Sequence, residues 1–316
     1  MSSFSSEVKN ELARIIDKQN CCHIAELASL MRMGGTMLIG GNSNLGINFT
    51  TENAAVARKV LTLIKRGFSL KTEVVVTRGR RLKKNNAYLI KVLPSPVVTE
   101  LLTTLGIMRG DIINAGRDIG ILRKSCCRRA YLRGAFLGGG SVNKPEGDYH
   151  LEMVTANLDF GKTLVKVMRH FSLPVRMTER KNGYIVYLKD GDAIISLLRL
   201  IGAHNALLSF ENVRVVKDMR NQVNRLVNCE TANLQKTVNA AVRQVECIRY
   251  ISETIGLKKL SEPLREAAKI RLEYPEATLS ELVDALNGKI GKSGINHRMR
   301  KLEQIAVELA EGKNPL

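Results

Sequence analysis

The sequence contains no tryptophan, and aromatic residues make up only 4% of its 316 residues. Its cores must therefore be aliphatic, and a hydrophobic content of 44% is enough to build them in about two domains. No apolar run approaches the roughly 20 residues that a membrane-spanning helix needs. Glu7, Lys9 and Glu11 stand where a signal peptide would have its apolar segment. These absences predict a cytoplasmic protein that does not contact a membrane.

The C-x-x-C spacing of zinc fingers and thioredoxin-like proteins is also missing. The six cysteines fall as two adjacent pairs, Cys21–Cys22 and Cys126–Cys127, plus Cys229 and Cys247. We interpret them as small buried residues in a reducing compartment, which predicts no metal and no cofactor. The alternative is that the four paired thiolates meet at a metal, because each pair opens a glycine-ended helix.

Acidic residues are too few to balance the basic ones. Lysine and arginine number 49 against 30 aspartates and glutamates, which leaves a net charge of +19. A positive charge of this size favours a polyanionic partner, and double-stranded DNA is the first choice. The alternative is that the positive charge only keeps the protein soluble. Residues 259–316 hold 10 basic and 9 acidic residues, so almost all of the excess lies on residues 1–258.

An internal repeat appears when the chain is compared with itself at an offset of 105 residues. The stretch CCHIAELASLMRMGGTM (21–37) then lies over CCRRAYLRGAFLGGGSV (126–142). Three further pairs of segments follow in the same order: 59–70 with 162–173, 87–93 with 183–189, and 97–107 with 193–203. Chance similarity does not preserve such an order, so residues of about 20–215 are predicted to be a duplicated unit.

Each unit has the same predicted sequence of elements. An apolar helix ends in glycines, a β-like stretch follows, and a second helix is predicted at 52–66 and again at 157–171. A hairpin and a third amphipathic helix close the unit. The predicted fold class is α+β, in which an α-β-β-α-β-β-α unit occurs twice. The units span about 20–110 and 125–210 within a domain of residues 1–215.

This order, with a glycine-ended helix leading each half, resembles the LAGLIDADG homing endonuclease fold. The resemblance implies that the two leading helices pack together, and glycines would allow their backbones to approach closely. It also places the metal-binding acids of that family on Gly34 and Gly139, which have no side-chain oxygen. The five histidines adjoin no recognisable nucleophile or acid pair. We therefore predict no enzymatic activity, with an active DNA endonuclease as the disfavoured alternative.

The stretch RGRRLKK at 78–84 carries five positive charges and no acid. In the endonuclease family such hairpin tips lie near the phosphates of DNA. The predicted phosphate contacts are therefore Arg78, Arg80, Arg81, Lys83 and Lys84. A solvated loop tip is the alternative.

Residues 216–258 are predicted to form a helical bridge with a row of asparagines, and residues 259–316 an all-α domain. Thr278-Leu279-Ser280-Glu281 is a capping box at the start of one of its helices, and Ile295, Met299 and Leu302 give the apolar stripe of the last one. Two short helices joined by a tight turn resemble a helix-turn-helix DNA reader. The predicted DNA-binding residues are Lys292, Ser293, Asn296, His297, Arg298, Arg300 and Lys301.

A degenerate LAGLIDADG-like domain followed by a helix-turn-helix is similar to the WhiA proteins of Gram-positive bacteria. The stretches SFSSEVKNELARI, NRLVNCETANLQKT and GINHRMRKLEQIA resemble that family. The resemblance implies a nucleoid-associated DNA-binding regulator of sporulation-type genes, or one that acts in cell division and chromosome segregation. An adaptor whose duplicated domain binds a protein or small ligand is the alternative.

Overall fold

The computed structural model describes residues 3–41, 44–68, 70–78, 86–110, 112–114, 120–180 and 183–313. These residues form two units, 1–218 and 219–316. The first begins with helix α1 (Phe4–Leu12). The first copy of the repeat follows as α2 (Asn20–Gly34), β1 (Gly35–Ile39), β2 (Leu45–Thr51), α3 (Ala54–Gly67), β3 (Thr72–Thr77), β4 (Ala87–Val92) and α4 (Pro96–Thr104).

A small hairpin, β5 (Met108–Arg109) and β6 (Ile112–Ile113), separates the copies. The second copy comprises α5 (Ser125–Gly139), β7 (Gly140–Val142), β8 (Leu151–Thr155), α6 (Leu158–His170), β9 (Arg176–Arg180), β10 (Gly183–Leu188) and α7 (Gly191–Ile201). The predicted α-β-β-α-β-β-α order is thus confirmed in both halves. The two middle helices start one or two residues later than the sequence pattern predicts.

The two four-stranded sheets have the same topology. Their strand orders are β1-β2-β4-β3 and β7-β8-β10-β9, with every neighbouring pair antiparallel. Burial alternates along the central strands. Phe49 on β2, Ile90 on β4, Met153 on β8 and Val186 on β10 are buried, and their neighbours along each strand are more exposed. Side chains alternate between the faces of a strand, so each sheet has one face against the core and one open face.

Helices α2 and α5 make the most extensive contact between helices in the first unit. A Cβ atom on Gly134 would lie 2.3 Å from the Glu26 carbonyl oxygen, and one on Gly138 would lie 2.5 Å from Met33 Cβ. No side chain fits at such distances, so glycine lets the two backbones approach. The predicted packing of the two leading helices against each other is confirmed, and the glycines of α5 allow the close approach. The glycine tail of α2 differs, because Gly34 packs on Phe49 of its own half.

Helix α1 lies outside the repeat, and the sequence pattern did not predict it. Its Phe4, Val8 and Leu12 are buried, and the Ser5 hydroxyl donates to the Val142 carbonyl and accepts from its N–H at 3.0 and 2.6 Å. The helix therefore connects to the second half of the repeat although it is distant in sequence.

The next helix, α8 (His204–Thr254), begins well before the predicted start near residue 215. Gly202, with a φ of 95°, ends α7, and the Glu11 carboxylate accepts from the N–H groups of Asn205 and Ala206 at 2.8 and 3.0 Å. A carboxylate at this end satisfies donors that have no partner within the helix. The early start also buries Leu207 and Phe210 in the core of the first unit.

The second unit contains the C-terminal part of α8 and three shorter helices, α9 (Glu262–Glu273), α10 (Leu279–Ala285) and α11 (Lys292–Ala310). Their common core includes Ile248, Ile251, Leu260, Ala267, Leu282, Ile295, Met299 and Leu302. The predicted apolar stripe of the last helix is thus confirmed as its buried face.

Candidate nucleic-acid interface

A tight turn joins α10 to α11. The helix before it has a capped N-terminus, and the turn itself contains residues with left-handed backbone. The Thr278 hydroxyl accepts from the Glu281 N–H at 3.3 Å, and the Glu281 carboxylate accepts from the Thr278 N–H at 2.6 Å. The predicted capping box is therefore confirmed. After α10, Asn287 and Gly288 adopt φ values of 55° and 69°, and the Gly288 N–H donates to the Val283 carbonyl. Left-handed backbone at two successive residues reverses the chain within a few residues.

Helix α11 presents a polar face opposite its buried stripe. Lys292, Ser293, His297, Arg300 and Lys301 are exposed, and Asn296 is half-buried beside the buried Ile295. Gly291 precedes the helix, and no side chain caps it. Because the first-turn N–H groups lack a partner within the helix, they can donate to an oxyanion next to Lys292.

Arg298 differs from the other predicted DNA-binding residues. Its Nη1 donates to the Pro263 carbonyl at 3.2 Å and lies 3.5 Å from the Glu266 carboxylate. The side chain is therefore engaged with α9, and it helps to fix the orientation of α11.

Arg271 is a buried arginine that sequence reasoning missed. Its side chain is almost fully buried, and its Nη1 donates to the Ala277 carbonyl at 2.5 Å, immediately before the cap of α10. Burial lowers the pKa of Arg271. Leu264, Ala267 and Ala268 precede Arg271 by seven, four and three residues, so the helical periodicity of α9 places this position on the buried face. That spacing is the signal that could have identified it.

The predicted basic hairpin lies mostly outside the described residues. Arg78 follows β3 and is exposed, whereas Arg80, Arg81, Lys83 and Lys84 fall in the undescribed segment 79–85. In the second half, Arg176 and Arg180 are exposed on the edge strand β9. On β3 and β4 the charged residues Glu73 and Lys91 stand directly opposite each other.

The two positions predicted to have lost nuclease acids are closely packed. A Cβ atom on Gly34 would lie 2.9 Å from the Phe49 ring, and one on Gly139 would lie 2.9 Å from the Val154 carbonyl oxygen and 3.0 Å from Met33 Sδ. Any side chain at these two positions would therefore require its neighbours to shift. In the part of the chain that the structure describes, these positions belong to no group of three or more potential metal ligands.

A buried charged cluster lies between the halves. Glu26 on α2 accepts from Lys59 on α3 at 3.1 Å and from Arg133 on α5 at 3.1 and 3.0 Å, and Arg133 also pairs with Asp17. Burial lowers the pKa of Lys59, and Glu26 opposes that effect only in part. For Arg133 burial also acts downward, but Glu26 and Asp17 outweigh it and raise the pKa. Sequence reasoning missed this cluster.

The four paired cysteines come together at the N-terminal ends of α2 and α5. The Sγ atoms of Cys21, Cys22, Cys126 and Cys127 all lie within 4.8 Å of one another. Burial raises the pKa of Cys22 and raises that of Cys127 to about 12. For Cys126, burial acts upward too, but hydrogen bonds with Cys22, Cys127 and Cys21 outweigh it and lower the pKa. The interpretation of these residues as separate space-filling thiols is therefore incomplete.

The chain matches three family models, which together span most of its length. These are the WhiA N-terminal LAGLIDADG-like domain over residues 20–108, the WhiA LAGLIDADG-like domain over 128–220, and the WhiA C-terminal HTH domain over 223–306. The last match identifies the second unit as a helix-turn-helix domain. The LAGLIDADG-like fold and the predicted family resemblance are thus confirmed.

Curated relatives are similar over nearly the whole chain. A probable cell division protein WhiA from Desulforamulus reducens is 52% identical over 313 residues, covering 98% of this chain and 97% of its own length. One of the same name from Alkaliphilus oremlandii is 52% identical over 316 residues, covering 98% and 99%. The crystal structure of full-length WhiA from Thermatoga maritima superimposes with a TM-score of 0.60 at 26% identity, with both chains fully covered. Among the described residues, no helix is long and apolar enough to cross a membrane.

Proposed function

The chain belongs to the WhiA family, and on that basis we propose that it is a DNA-binding regulator of cell division that reads base sequence with α11. One observation carries this proposal: α11 begins after a tight turn and presents an exposed polar and basic face, with no acid from residue 288 to 301. A helix of this kind fits the major groove of DNA, where side chains reach the edges of bases.

The residues of this face divide into two classes. Asn296 and Arg300 lie one turn apart near the start of α11, on either side of the exposed His297. Asparagine pairs well with adenine and arginine with guanine, so these two are proposed to read bases. Lys292, Ser293 and Lys301, with the first-turn N–H groups, are proposed to contact phosphates. Such contacts position the helix without reading sequence.

The duplicated unit is proposed to have no nuclease activity. Gly34 and Gly139 have no side-chain oxygen, and a Cβ atom at either would lie only 2.9 Å from its neighbours, so a divalent metal would lack these ligands. The +18 charge of residues 1–258 makes non-specific DNA affinity the more natural role for this unit. Relatives are named cell division proteins, and we propose action in cell division, chromosome segregation or transcription regulation, in the cytoplasm at the nucleoid.

A double substitution in α11 tests the proposed reading of bases. Binding sites would be selected from a random DNA pool with the parent protein, and affinities would then be measured on the selected site and on scrambled DNA. Asn296→Ala with Arg300→Ala should cost about 2–6 kcal/mol on the selected site, because each good base contact contributes about 1–3 kcal/mol of discrimination. Affinity for scrambled DNA should fall much less.

Lys269→Ala is the matched control, because it removes an exposed positive charge from α9 of the same unit. It should leave the preference for the selected site unchanged. Equal site preference in the α11 double variant and the parent would show that α11 does not read DNA.

A second function, protein binding by the duplicated unit, is favoured by one edge strand. Strand β3 pairs only with β4 among the described residues, and its Val74, Val75 and Val76 are exposed by 40–49%. An unpaired edge with apolar side chains can add a strand from another protein. This would make the duplicated unit an adaptor, and it does not exclude DNA binding through α11.

A further inference from the structure

The four cysteines at the start of α2 and α5 form a set that the DNA-binding role does not use. Cys21 and Cys22 belong to the first half of the repeat, and Cys126 and Cys127 occupy the equivalent positions of the second half. All four are free thiols, with Cys22 and Cys127 buried and the other two half-buried. Because α2 and α5 pack with their N-terminal ends together, the repeat itself brings the two pairs into one cluster.

The distances suit a single metal ion with four sulfur ligands. Zinc binds thiolate sulfur at about 2.3 Å with tetrahedral geometry, so the sulfurs of one site lie about 3.8 Å apart. Cys126 Sγ and Cys127 Sγ are 4.0 Å apart, and no pair in the cluster exceeds 4.8 Å. The longest sulfur–sulfur distance therefore exceeds that of a tetrahedral site by about 1 Å. An iron–sulfur cluster would divide four thiolates among two or more irons and hold them further apart.

Burial and the nearby Asp17 carboxylate disfavour free thiolates at Cys22, but other charges around the cluster would offset the negative charge of a metal-bound set. Neither α2 nor α5 has a side chain that caps its N-terminus, so the positive ends of two helix dipoles face the sulfurs. Lys124, Arg128 and Arg129 lie at the same end of α5. Four thiolates around a divalent ion carry a net charge of −2, which these dipoles and cations offset.

A neighbouring amide completes the surroundings. The Gln19 side chain accepts from the thiols of Cys126 at 3.3 Å, Cys21 at 3.6 Å and Cys22 at 3.9 Å. When the thiols lose their protons to a metal, the NH₂ group of the same amide can turn to donate to sulfur. Such outer hydrogen bonds orient metal ligands and balance their charge.

We propose that Cys21, Cys22, Cys126 and Cys127 bind one zinc ion that joins the two halves of the duplicated unit. Four protein ligands leave no open position, so the site is structural and not catalytic. Each of the two helices runs from this site to a strand, α2 into β1 and α5 into β7, so the zinc fixes the helix ends remote from the sheets. It clamps the two halves where the glycine-mediated contact of α2 and α5 begins.

Metal analysis of the full-length chain tests the proposal. The protein would be produced without a metal-binding tag, in medium that contains zinc, and purified without chelators. Inductively coupled plasma mass spectrometry should find about one zinc per chain. A mercurial reagent that attacks thiolates should release this zinc in proportion to the sulfurs modified.

Two double variants separate this site from other thiols. Cys229→Ser with Cys247→Ser removes both cysteines outside the cluster and should retain the zinc. Cys21→Ser with Cys126→Ser removes the half-buried sulfur from each half and should reduce the zinc to the level of the buffer. Its melting temperature should fall as well, because the metal binds the folded state only.

A cobalt experiment decides the question even if the second variant does not fold. In the Cys229→Ser, Cys247→Ser protein, exchange of zinc for Co²⁺ should give the thiolate-to-cobalt charge-transfer band and the strong visible bands of a tetrahedral sulfur site. A parent protein without zinc, whose six thiols all react freely in the folded state, would overturn the proposal. Disulfide bonds among the four cysteines in freshly purified protein would also overturn it, in favour of a redox role.

Discussion

Glu26 is a buried acid that links cations from both halves of the duplicated unit. Its carboxylate is fully buried and neutralises Lys59 and Arg133, which come from different helices and different halves. A buried ion pair contributes little beyond a well-packed apolar replacement, but removal of one partner leaves the other charges without compensation. Glu26 serves two cations at once, and of these Arg133 has a second acidic partner in Asp17.

We therefore expect Glu26→Gln to destabilise the duplicated unit by about 3–5 kcal/mol, the cost typical of a broken buried ion pair. Glutamine has nearly the shape of glutamate, so a cavity cannot explain the loss of stability. Urea denaturation followed by circular dichroism would measure it. Glu100→Gln, which neutralises an exposed acid on α4, is the control and should shift the midpoint little. Similar midpoints for the two variants would mean that Glu26 does not stabilise the contact between the halves.

At the scale of elements, α10 is short and depends on its first turn. It has seven residues, and only Leu282 among them is fully buried, so packing contributes little to its stability. The capping box supplies two hydrogen bonds at the first turn. Because a short helix is only marginally stable, these bonds contribute a large share of its stability. The hydrogen bond from the Thr278 N–H, followed by that with its side chain, lowers the pKa of Glu281.

This lowered pKa predicts how the stability of the helix-turn-helix unit changes with pH. A carboxylate whose pKa is lower in the folded than in the unfolded state adds stability above its ordinary value of 4.5, and that stability is lost as the pH falls through the folded value. Glu281→Ala should therefore lower the calorimetric melting temperature at pH 7. The difference from the parent should shrink steadily below pH 4.5. Glu276→Ala, an exposed acid just before the helix, is the control. A gap between Glu281→Ala and the parent that is constant with pH would contradict the ionic role of the cap.

At the scale of the whole molecule, most of the positive charge lies in a different part of the sequence from the residues proposed to read bases. Residues 259–316 have a net charge of only +1, although α11 is locally basic, and the rest of the chain carries +18. If the duplicated unit contacts phosphates, it adds affinity for every DNA sequence, whereas the proposed role of α11 is to add the preference for one. The basic hairpin is the strongest candidate for the general contact.

Neutralisation of Arg78, Arg80, Arg81, Lys83 and Lys84 to glutamine should therefore weaken binding to all DNA sequences alike. It should also reduce the slope of log affinity against log salt by about 0.9 for each phosphate that the variant no longer neutralises. The preference for the selected site should survive, because α11 is unchanged. The control is neutralisation of Arg58, Lys65 and Arg66, which are exposed on α3. A hairpin variant with the parent's salt slope would mean that this hairpin does not bind phosphates and would favour the adaptor function.

The sequence by itself determined the elements of the two repeat copies and their order, but not helix α1 or the start of α8. The helix and strand periods within each copy, the two glycine-ended helices, the capping box and the apolar stripe of α11 all depend on residues close together in the chain. Helix and strand periodicity and capping are local properties, so a linear pattern records them. The start of α8 was misjudged for the same reason: its cap, Glu11, lies 194 residues away from Asn205.

Only the tertiary structure decided which distant side chains meet. Glu26 and Arg133 are 107 residues apart, and nothing in either local sequence marks them as a buried pair. The cysteines offered one usable signal, since Cys21 and Cys126 are equivalent positions of a repeat whose leading helices pack together. Known sequence motifs for metal sites have ligands close together along the chain. Here the distance between the two cysteine pairs is set by how α2 packs on α5. The packing of α2 on α5 therefore brings two cysteine pairs that are distant in sequence into one cluster of four sulfurs.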